Sequence, residues 1–347
     1  MEKIAIIGTG LSGSYLAYLL KDKYEVHCFD KARGDGGRSS SKRTDETSFD
    51  FGLSYFKINN SELKKELESE AFSDVLTRWQ AKVLEIDKYD SAATEESIEE
   101  YYTAKPFASS LSKKFLEKIE HNYKSHKVLE IIKKAENNYS LKIEKEESEI
   151  EIDGFAKIIC TAPSVQSAEI TKNFTEISSV CLRAVMSSNF VVLLSSKDTL
   201  KSSEHVLNSG IIKITHSPIS DIVFNHKKPG RNSEITSLVI KANRFWSKSH
   251  IEIDKENLKK LLTEECLSLC GIKDLEIDFS HIHRWLYSET LKPALEIKDF
   301  RHENLFIRDS LPEDKSEQIY VCGDWCIGSY AEDALLSAKS LADYLSL

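Results

Sequence analysis

Three glycines near the start of the chain are spaced so that a diphosphate could bind at their backbone. Gly8, Gly10 and Gly13 form a G-x-G-x-x-G motif directly after the apolar run 4–7. The first glycine permits a tight turn, the second lets the backbone approach a pyrophosphate, and the third lets a helix pack closely on a strand. The helix-compatible residues that follow predict phosphates at a helix N-terminus.

An acidic residue and a basic, glycine-rich segment extend this motif. The sequence YEVHCF predicts a second strand that ends at Asp30, about 20 residues after the glycines, where a carboxylate accepts hydrogen bonds from ribose hydroxyls. Residues 31–38 then add cations and bare backbone, which suit further diphosphate contacts. A nicotinamide-binding unit does not usually need this addition. A lone glycine motif is weak evidence, but strand, turn, helix and acid together predict a βαβ dinucleotide-binding unit.

A second motif of this kind lies near the C-terminus. Residues 319–321 predict a strand that is followed by Gly323 and Asp324, and an amphipathic helix begins at about Glu332. Gly323 allows close backbone approach, Asp324 can accept bonds from a polyol chain, and a helix N-terminus stabilises negative charge on a reduced ring. Taken alone, Gly-Asp before a helix is better explained as an N-cap and turn.

Length and composition limit the classes of protein that fit. A chain of 347 residues with 41% hydrophobic residues predicts two folded domains. The 47 basic and 56 acidic residues give a net charge of -9, which disfavours a broad nucleic-acid surface. No run approaches the roughly 18 apolar residues of a membrane span. We therefore expect a soluble, cytoplasmic protein with no nucleic-acid or membrane partner.

The cysteines and the remaining elements complete the prediction from the residues themselves. Seven scattered cysteines without a C-x-x-C pair predict buried thiols in a reducing compartment, and no metal site is expected. Hydrophobic periodicity predicts helices, an acidic surface excursion, an antiparallel meander and single strands. These are helices 61–79, 111–123 and 255–270, excursion 87–100, meander strands 128–132, 139–144 and 149–152, and strands 156–163, 189–194, 210–215 and 235–241.

The ordered set of motifs resembles the flavin-containing amine oxidases and, within them, the bacterial renalases. The matching stretches are IAIIGTGLSG, FDKARGDGGRSSSKR, DFGLSYF, AKPF, IICTAP, NHKKPGRNS, HRWLYS and IYVCGDWC. The resemblance implies an α/β fold (α+β overall) with a Rossmann-type FAD-binding domain of the amine oxidase/glutathione reductase type and an inserted mixed-sheet substrate domain. The expected FAD-binding domain comprises residues 1–58, 104–166 and 300–347, and the substrate domain comprises 59–103 and 167–299.

The same resemblance implies which residues contact a non-covalent FAD. They group around the pyrophosphate, the adenosine ribose, the diphosphate flank, the ribityl phosphate and the flavin pyrimidine. In that order they are Gly8, Gly10, Ser12 and Gly13; Asp30; Lys31, Arg33, Gly36, Gly37 and Arg38; Gly323 and Asp324; and Glu332, Asp333 and Ala334, with Val128 also in the cofactor-binding set.

By this resemblance the chain oxidises 2- or 6-dihydronicotinamide isomers of NAD(P) and passes the electrons to O2 as H2O2. Loss of hydride restores an aromatic pyridinium, so no dedicated general base is needed, and the protein supplies orientation and electrostatics. The sequence correspondingly offers no convincing Ser/His/Asp, Cys/His or metal constellation.

Five residues are candidates for orienting a small-molecule substrate. Tyr55 could form a wall beside the flavin, and Asn225 could bond a carboxamide. Arg284 with Trp285 could grip or stack on a ring. Lys241 stands where similar proteins carry histidine and would add a fixed positive charge near a cationic product.

Two alternatives stay open at the level of sequence, as does the oligomeric state. An amine oxidase would use the same flavin chemistry but needs an aromatic amine cage. A flavin-retaining binding or regulatory protein without turnover is motivated by Lys241, and by Asp333 and Ala338, which replace glycines common in the relatives. A carboxylate at Asp333 disfavours an anionic reduced flavin unless it points away.

Overall fold

A computed structural model describes residues 1–90, 95–298, 303–311 and 316–347. The strands are β1 (Lys3–Ile7), β2 (Glu25–Asp30), β3 (Ser41–Arg43), β4 (Ser48–Asp50), β5 (Leu76–Asp87), β6 (Glu95–Ala104), β7 (His121–Lys124), β8 (Lys127–Ala135), β9 (Asn138–Lys145), β10 (Ser148–Phe155), β11 (Lys157–Cys160), β12 (Val185–Ser196), β13 (Ile211–Thr215), β14 (Ile219–Phe224), β15 (Thr236–Ala242), β16 (Phe279–Lys292) and β17 (Ile319–Val321). The helices are α1 (Leu11–Leu20), α2 (Ser61–Leu67), α3 (Ser110–Phe115), α4 (Ser164–Ile170), α5 (Thr175–Cys181), α6 (Glu204–Asn208), α7 (Arg244–Ser249), α8 (Lys255–Leu269), α9 (Asp324–Ile327) and α10 (Ala331–Tyr344).

The chain divides into two compact units, each discontinuous in sequence. Unit 1 consists of Met1–Arg38, Ser109–Met186 and Glu289–Leu347, and unit 2 consists of Ser39–Ala108 and Ser187–Ser288. The limits differ from the expected domains, because residues 39–58 and 104–108 belong to unit 2 whereas 167–186 and 289–298 belong to unit 1. The expected boundary at residue 300 lies outside the described residues. The assignment of one domain to the flavin and the other to the substrate stays a prediction.

Unit 1 is built on a five-stranded sheet of order β17-β11-β1-β2-β7 in which neighbouring strands are parallel. Helix α1 connects β1 to β2, which confirms the βαβ unit predicted from the glycine motif. Strands β8, β9 and β10 form the predicted antiparallel meander between β7 and β11. The core of the unit packs these elements around large buried rings, among them Phe29, Tyr139, Phe155 and Trp325.

Unit 2 is built on a seven-stranded mixed sheet of order β16-β12-β15-β14-β13-β5-β6. Strands β13 and β5 are parallel, whereas β12/β15, β15/β14, β14/β13 and β5/β6 are antiparallel. Helix α8 covers one face with Leu258, Leu262 and Cys266, which recur every four residues. The opposite face, which we call the aromatic face, carries Phe49, Tyr55, Trp79, Tyr101 and Trp285.

A buried ionic group, which we call the Asp50 cluster, ties separate segments of unit 2 together. The Asp50 carboxylate accepts hydrogen bonds from Lys228 Nζ and Arg231 Nη2, from Ser41 Oγ at 2.6 Å and from the Ala108 amide at 2.9 Å. The side chains of Asp50, Lys228 and Arg231 are at most 1% exposed. Burial raises the pKa of Asp50, but the two positive charges outweigh it and lower this pKa to about 2.

The fold class is as predicted. Most differences between the predicted and the observed elements arise where the spacing of apolar residues fits both a helix and a strand. The helix expected over 61–79 ends at Leu67, and β5 begins at Leu76. From Trp79 onward, Ala81 and Val83 reach the same buried face at every second position. The spacing of apolar residues between 63 and 79 fits a helix as well, so pairing in the sheet decides the outcome.

Two further segments are strands although their composition indicated otherwise. Within the expected excursion 87–100, residues 95–100 belong to β6, and residues 91–94 lie outside the described part of the chain. Strand β6 is the edge strand of its sheet and its backbone pairs with β5, while Glu95 and Glu96 are exposed and Glu99 and Glu100 are half-exposed. The helix expected over 111–123 ends at Phe115, and His121–Lys124 forms β7 beside β2.

The cysteines and the helices bear on two other expectations. All seven cysteines are free and buried, as predicted. Burial raises the pKa of the Cys160 thiol, and it raises that of Cys322 to about 12. None of the helices in the described ranges combines the length and the apolar character that crossing a bilayer requires.

The Asp50 cluster predicts a large and specific loss of stability. We expect Lys228→Met to lower the free energy of unfolding by about 3 kcal/mol, because the Asp50 carboxylate stays buried with one partner fewer. Urea denaturation followed by circular dichroism measures this. Lys57→Met is the matched control, since Lys57 pairs with Glu99 at the surface and its loss should cost no more than about 1 kcal/mol. Equal losses in the two variants would contradict the role given to the cluster.

Candidate functional site

The glycine turn of unit 1 depends on the absence of side chains at two positions. Gly8 has φ +107°, and its amide donates to the Phe29 carbonyl oxygen at 2.7 Å. A Cβ at Gly8 would lie 2.7 Å from Thr161 Oγ1, and a Cβ at Gly13 would lie 2.0 Å from the Gly8 carbonyl oxygen. Both contacts are too short for real atoms. Glycine at position 13 lets α1 approach β1 this closely, and glycine at position 8 permits the positive φ and leaves room for Thr161.

Gly10 differs from these two glycines because it faces open space. Among the described residues, the only atom within 4 Å of a Cβ placed there is the Gly36 carbonyl oxygen, at 4.0 Å. Gly36 N donates to Thr9 O at 2.9 Å, and a Cβ on Gly37 would lie 3.1 Å from Gly10 Cα. Gly10, the N-cap residue of α1, has no side chain with which to cap the helix. We call Gly10, Gly36 and Gly37 the glycine cradle, and it leaves room for a phosphate group at the N-terminus of α1.

Asp30 lies at the end of β2, where its carboxylate is held in a fixed orientation. Its Oδ2 accepts from the Thr9 amide at 2.7 Å and from Thr9 Oγ1 at 2.8 Å, and its Oδ1 accepts from the Ala32 amide at 2.8 Å. The His126 amide donates to the Asp30 carbonyl oxygen at 2.8 Å. The carboxylate is half-buried, and an oxygen that receives one bond can accept another, as a ribose contact requires.

Other residues of the expected cofactor set take distinct positions around the turn. Lys31 and Arg33 are exposed. Ser12 is buried in the first turn of α1. Its hydroxyl lies 3.5 Å from the Sγ atom of Cys322, the residue directly after β17. Val128 is buried in the core of unit 1, two residues beyond the segment that bonds Asp30.

Arg38 and Asp324 form a bidentate ion pair that joins the two ends of the polypeptide within unit 1. Arg38 Nη1 donates to Asp324 Oδ2 at 2.8 Å, and Nη2 contacts Oδ1. Burial lowers the pKa of Arg38, but the charge of Asp324 more than offsets it. Gly323 precedes the pair and donates its amide to Ser337 Oγ at 3.1 Å. The N-terminal and C-terminal motifs that were expected to bind the cofactor therefore meet within unit 1. Two parallel hydrogen bonds join the arginine to the carboxylate, and this bidentate geometry is specific.

Asp333 points back toward the turn before α10. Its Oδ2 accepts from the amides of Ser329 and Tyr330, each at 2.8 Å, which makes it part of a capping box. Burial raises the pKa of Asp333. The sequence raised the concern that a carboxylate at this position, where relatives carry glycine, would disfavour an anionic reduced flavin. The carboxylate is instead hydrogen-bonded to the backbone of its own turn. In the same helix Glu332 is half-exposed, and Ala334 and Ala338 are buried.

Asn225 does not occupy the position that a substrate contact needs. It is completely buried; its Nδ2 donates to the Ser48 carbonyl oxygen at 2.6 Å and its Oδ1 accepts from the Asp50 amide at 3.4 Å. Both ends of the amide are thus used to hold β4. The expected bond from Asn225 to a carboxamide has no support in this arrangement, because the side chain presents no surface.

Arg284 and Trp285 are not brought together as a pair. They are consecutive residues of β16, so their side chains leave the sheet on opposite faces. Arg284 Nη1 donates to the Ile251 carbonyl oxygen at 3.4 Å, whereas Trp285 belongs to the aromatic face. The Trp285 ring stacks on Phe51 at 5.2 Å between centroids, and its Nε1 donates to the Phe51 carbonyl oxygen at 3.1 Å.

Tyr55 and Lys241 do come together, on the aromatic face. The Tyr55 and Tyr101 ring centroids lie 4.5 Å apart, and Lys241 Nζ lies 5.5 Å from the Tyr55 centroid. Tyr55 OH donates to Asp221 Oδ1 at 3.5 Å. Burial, reinforced by Asp221, raises the pKa of Tyr55 well above its usual value, so the phenol stays protonated at neutral pH. The arrangement places the half-buried Tyr55 ring beside one ammonium group and one carboxylate.

Sequence reasoning missed three residues of this arrangement. Thr161 seals the glycine turn, and Tyr101 and Asp221 complete the surroundings of Tyr55. The first had a signal, since it ends a predicted buried strand that returns to the central sheet. The other two had none, because residues 95–100 of β6 were expected to belong to a surface excursion, Tyr101 lay between predicted elements, and β14 was not predicted.

Comparison with known proteins supports the fold described above. Residues 6–68 match the NAD(P)-binding Rossmann-like domain family. A protein assigned as a protoporphyrinogen oxidase from Exiguobacterium sp. 255-15 superposes with a TM-score of 0.75 at 11% identity over 99% of this chain and 98% of its own. Cyclohexylamine oxidase from Brevibacterium oxydans IH-35A gives 0.72 at 12% over 100% of both chains. Wild-type putrescine oxidase bound to putrescine gives 0.70 at 10% over 100% of this chain and 99% of its own.

The chain has the fold of these oxidases. Identities of 10–12% establish the architecture and no more. The predicted fold class, a Rossmann-type unit with a second, mixed-sheet unit, is confirmed. Substrate, cofactor and the roles of individual residues are argued below from the site itself.

The glycine cradle predicts different outcomes for two substitutions that look alike in sequence. Gly10→Ala should fold like the wild type, because φ is -68° and the nearest atom lies 4.0 Å away, yet weaken binding of the expected FAD at least about tenfold by filling the space for a phosphate. Gly13→Ala should fail to fold or melt at a much lower temperature, because its Cβ would overlap Gly8. Thermal melts of the apoproteins and FAD titration measure both. Wild-type melting of Gly13→Ala, or wild-type affinity of Gly10→Ala, would contradict this reading.

Proposed function

We propose that this chain is an FAD-dependent oxidoreductase that oxidises dihydronicotinamide isomers of NAD(P), as the bacterial renalases do. The observation that carries the proposal is the glycine cradle. Its open space beside Gly10 adjoins the first turn of α1, where the helix dipole favours a diphosphate. The match of residues 6–68 to a dinucleotide-binding domain supports the same class of ligand.

Two features favour FAD over a nicotinamide dinucleotide as the resident cofactor. The segment after Asp30 folds back so that Gly36 bridges to Gly10, an addition that a nicotinamide-binding unit does not usually need. Arg38 at the end of this segment is paired with Asp324, which the resemblance to renalases assigns to the ribityl end of FAD. The segment also carries Lys31 and Arg33, both exposed, as further cations.

The proposed reaction makes modest chemical demands on the chain. FAD, when bound, accepts the hydride lost by the dihydropyridine ring and passes the two electrons to O2, which leaves as H2O2. The substrate ring becomes an aromatic pyridinium, so no side chain has to remove a proton. The half-buried, protonated Tyr55 offers a flat surface that can orient a ring, and the buried Tyr101 packs against Tyr55 within the aromatic face, which excludes water.

Lys241 favours a nucleotide substrate over an amine. Its ammonium group lies 5.5 Å from the Tyr55 centroid, the position in which a bound alkylammonium would make a cation–π contact. A substrate ammonium there would meet a like charge, whereas the phosphates of a dinucleotide would be attracted. An amine oxidase is nevertheless the second candidate, because putrescine oxidase and cyclohexylamine oxidase share the fold.

The proposal predicts which reductants bleach the flavin. Under anaerobic conditions, 2- and 6-dihydronicotinamide isomers of NAD(P) should bleach the flavin absorbance of the purified protein, whereas ordinary NAD(P)H and putrescine should not. In air the same isomers should yield one H2O2 for each NAD(P)+ formed. Stopped-flow absorbance and a peroxide assay measure these outcomes.

Each other outcome of this experiment selects a different conclusion. Bleaching by putrescine or cyclohexylamine alone would replace the proposal with an amine oxidase. A yellow protein that no compound reduces would indicate a flavin-binding protein without turnover. A colourless protein that cannot be reconstituted with FAD would overturn the cofactor assignment itself.

A substitution at Lys241 tests the substrate class separately from the cofactor. We expect Lys241→Met to raise KM for the dihydronicotinamide nucleotide on the order of tenfold with a smaller change in kcat, because a phosphate contact stabilises bound substrate and transition state alike. Lys88→Met is the matched control, since Lys88 lies in the same unit and pairs at 2.6 Å with Glu265 of α8, the helix that covers the face opposite the aromatic face. An unchanged KM in Lys241→Met, or a new activity on amines, would contradict a phosphate-binding role.

A further inference from the structure

A carboxylate lies beside Tyr55 on the aromatic face of unit 2, and the function proposed above does not use it. It belongs to Asp221 of β14, whose Oδ1 lies 3.5 Å from the Tyr55 hydroxyl oxygen. The residues paired with Asp221 on the neighbouring strands are Lys241 of β15 and Lys213 of β13. Lys213 forms its ion pair with Glu85 instead, at 3.1 Å. The position of Asp221 beside a tyrosine therefore calls for its own explanation.

A β-bulge at Ser220 brings this carboxylate to the aromatic face. The register of β14 against β15 shifts between Ile219 and Asp221, so that two steps along β14 correspond to one step along β15. Ile219 packs in the core that α8 covers, whereas Val223 belongs to the aromatic face. In a regular strand, residues 219, 221 and 223 would share one face. The bulge separates them, and bulges often re-aim a side chain next to a functional site.

Hydrogen bonding fixes the direction of the bond between Tyr55 and Asp221. Ser220 Oγ donates to Asp221 Oδ2 at 2.8 Å, which leaves Oδ1 for Tyr55. A carboxylate only accepts hydrogen bonds, so the single proton of the Tyr55 hydroxyl points at Asp221. The remaining lone pairs of the hydroxyl oxygen can then only accept. Asp221 thereby makes Tyr55, which is half-buried, an acceptor toward a ligand on the aromatic face.

We propose that Asp221 is a positioning residue that makes Tyr55 select a ring carboxamide over a ring carboxylate. The inference rests on the proposed function, in which a nicotinamide ring lies against Tyr55. The amide N–H of nicotinamide can donate to the Tyr55 oxygen. The carboxylate of nicotinic acid has no proton to donate, and it would face both the oxygen lone pairs and the charge of Asp221. A site that presents an acceptor rejects a ligand that lacks the matching donor.

The ammonium group on the same face cannot account for such a preference. Lys241 Nζ lies 5.5 Å from the Tyr55 centroid, and it attracts a carboxylate on the ring as it attracts a phosphate. Its effect on the diphosphate is equal for two dinucleotides that differ only in the ring substituent. A preference for the amide therefore has to come from Tyr55 and Asp221, against the attraction of Lys241.

The test compares the binding of NAD+ and of nicotinic acid adenine dinucleotide, its deamido form, to the purified, flavin-retaining protein. In isothermal titration the wild type should bind NAD+ at least about tenfold more tightly than the deamido form. Because binding is measured rather than turnover, the result is separate from the bleaching experiment. Bleaching by dihydronicotinamides together with equal binding of the two dinucleotides would overturn only this inference. A preference for NAD+ in a protein that is not bleached would overturn only the proposed oxidation.

Variants decide whether the hydrogen bond from Tyr55 to Asp221 sets the preference. Asp221→Leu removes the acceptor and frees the Tyr55 proton for a carboxylate, so the preference should fall below about threefold. Tyr55→Phe should give the same low ratio. Asp221→Asn should keep most of the preference, because its amide oxygen still accepts from Tyr55. Asp278→Asn is the matched control, since the exposed Asp278 carboxylate accepts from the Lys197 amide at 2.7 Å and should leave the ratio unchanged.

Thermal melts of the same variants separate this role from a purely structural one. A change in stability alone weakens the binding of both dinucleotides and leaves their ratio unchanged. A wild-type ratio in Asp221→Leu or in Tyr55→Phe would overturn the proposal, as would a wild type that binds neither dinucleotide. Equal loss of the preference in Asp221→Asn and Asp221→Leu would do the same, since it would assign the preference to the charge of Asp221 rather than to the hydrogen bond.

Discussion

The close approach of α1 to the end of β1 is the constraint on which the rest of unit 1 depends. A Cβ at Gly13 would lie 2.0 Å from the Gly8 carbonyl oxygen, so strand and helix can meet this closely only when position 13 lacks a side chain. Thr161 closes the turn from the neighbouring strand by donating to the Gly8 carbonyl oxygen at 3.0 Å. This packing aims the first amides of α1 into the space beside Gly10. The segment ending at Arg38 then folds over the turn and fixes where Asp324 can lie.

Unit 2 is organised by a different kind of constraint, the burial of charge. The Asp50 carboxylate has no contact with water, so each of its partners must be in place for the fold to be stable. Those partners come from separate segments, and Lys228 also donates to the Ser54 carbonyl oxygen at 2.9 Å. The backbone next to Tyr55 is thereby anchored to the 3-10 turn that follows β14. The orientation of the aromatic face thus depends on a hydrogen-bonded ion cluster beneath it.

Local patterns carried enough information to predict the βαβ unit, the meander and the closing helix, because each of these is specified by short-range periodicity and turn residues. Features that depend on which distant strands pair with each other could not be predicted from the sequence. The meeting of His27 with His121 depends on β7 lying beside β2, and β7 was expected to be helical. The separation of Arg284 from Trp285 follows from a strand that periodicity had not indicated. Asn225 showed the same limit, since an amide that bonds a ligand and an amide that bonds a buried strand look alike in sequence.

The seven buried cysteines bear on how the protein would withstand its own chemistry. Thiolates, rather than thiols, react with oxidants, and burial raises the pKa of Cys28, Cys181 and Cys326 among others. The sulfur atoms are therefore both protonated and screened from solvent. If the proposed oxidase releases peroxide at each turnover, these thiols should stay reduced, and the proposed reaction would not inactivate the protein through them.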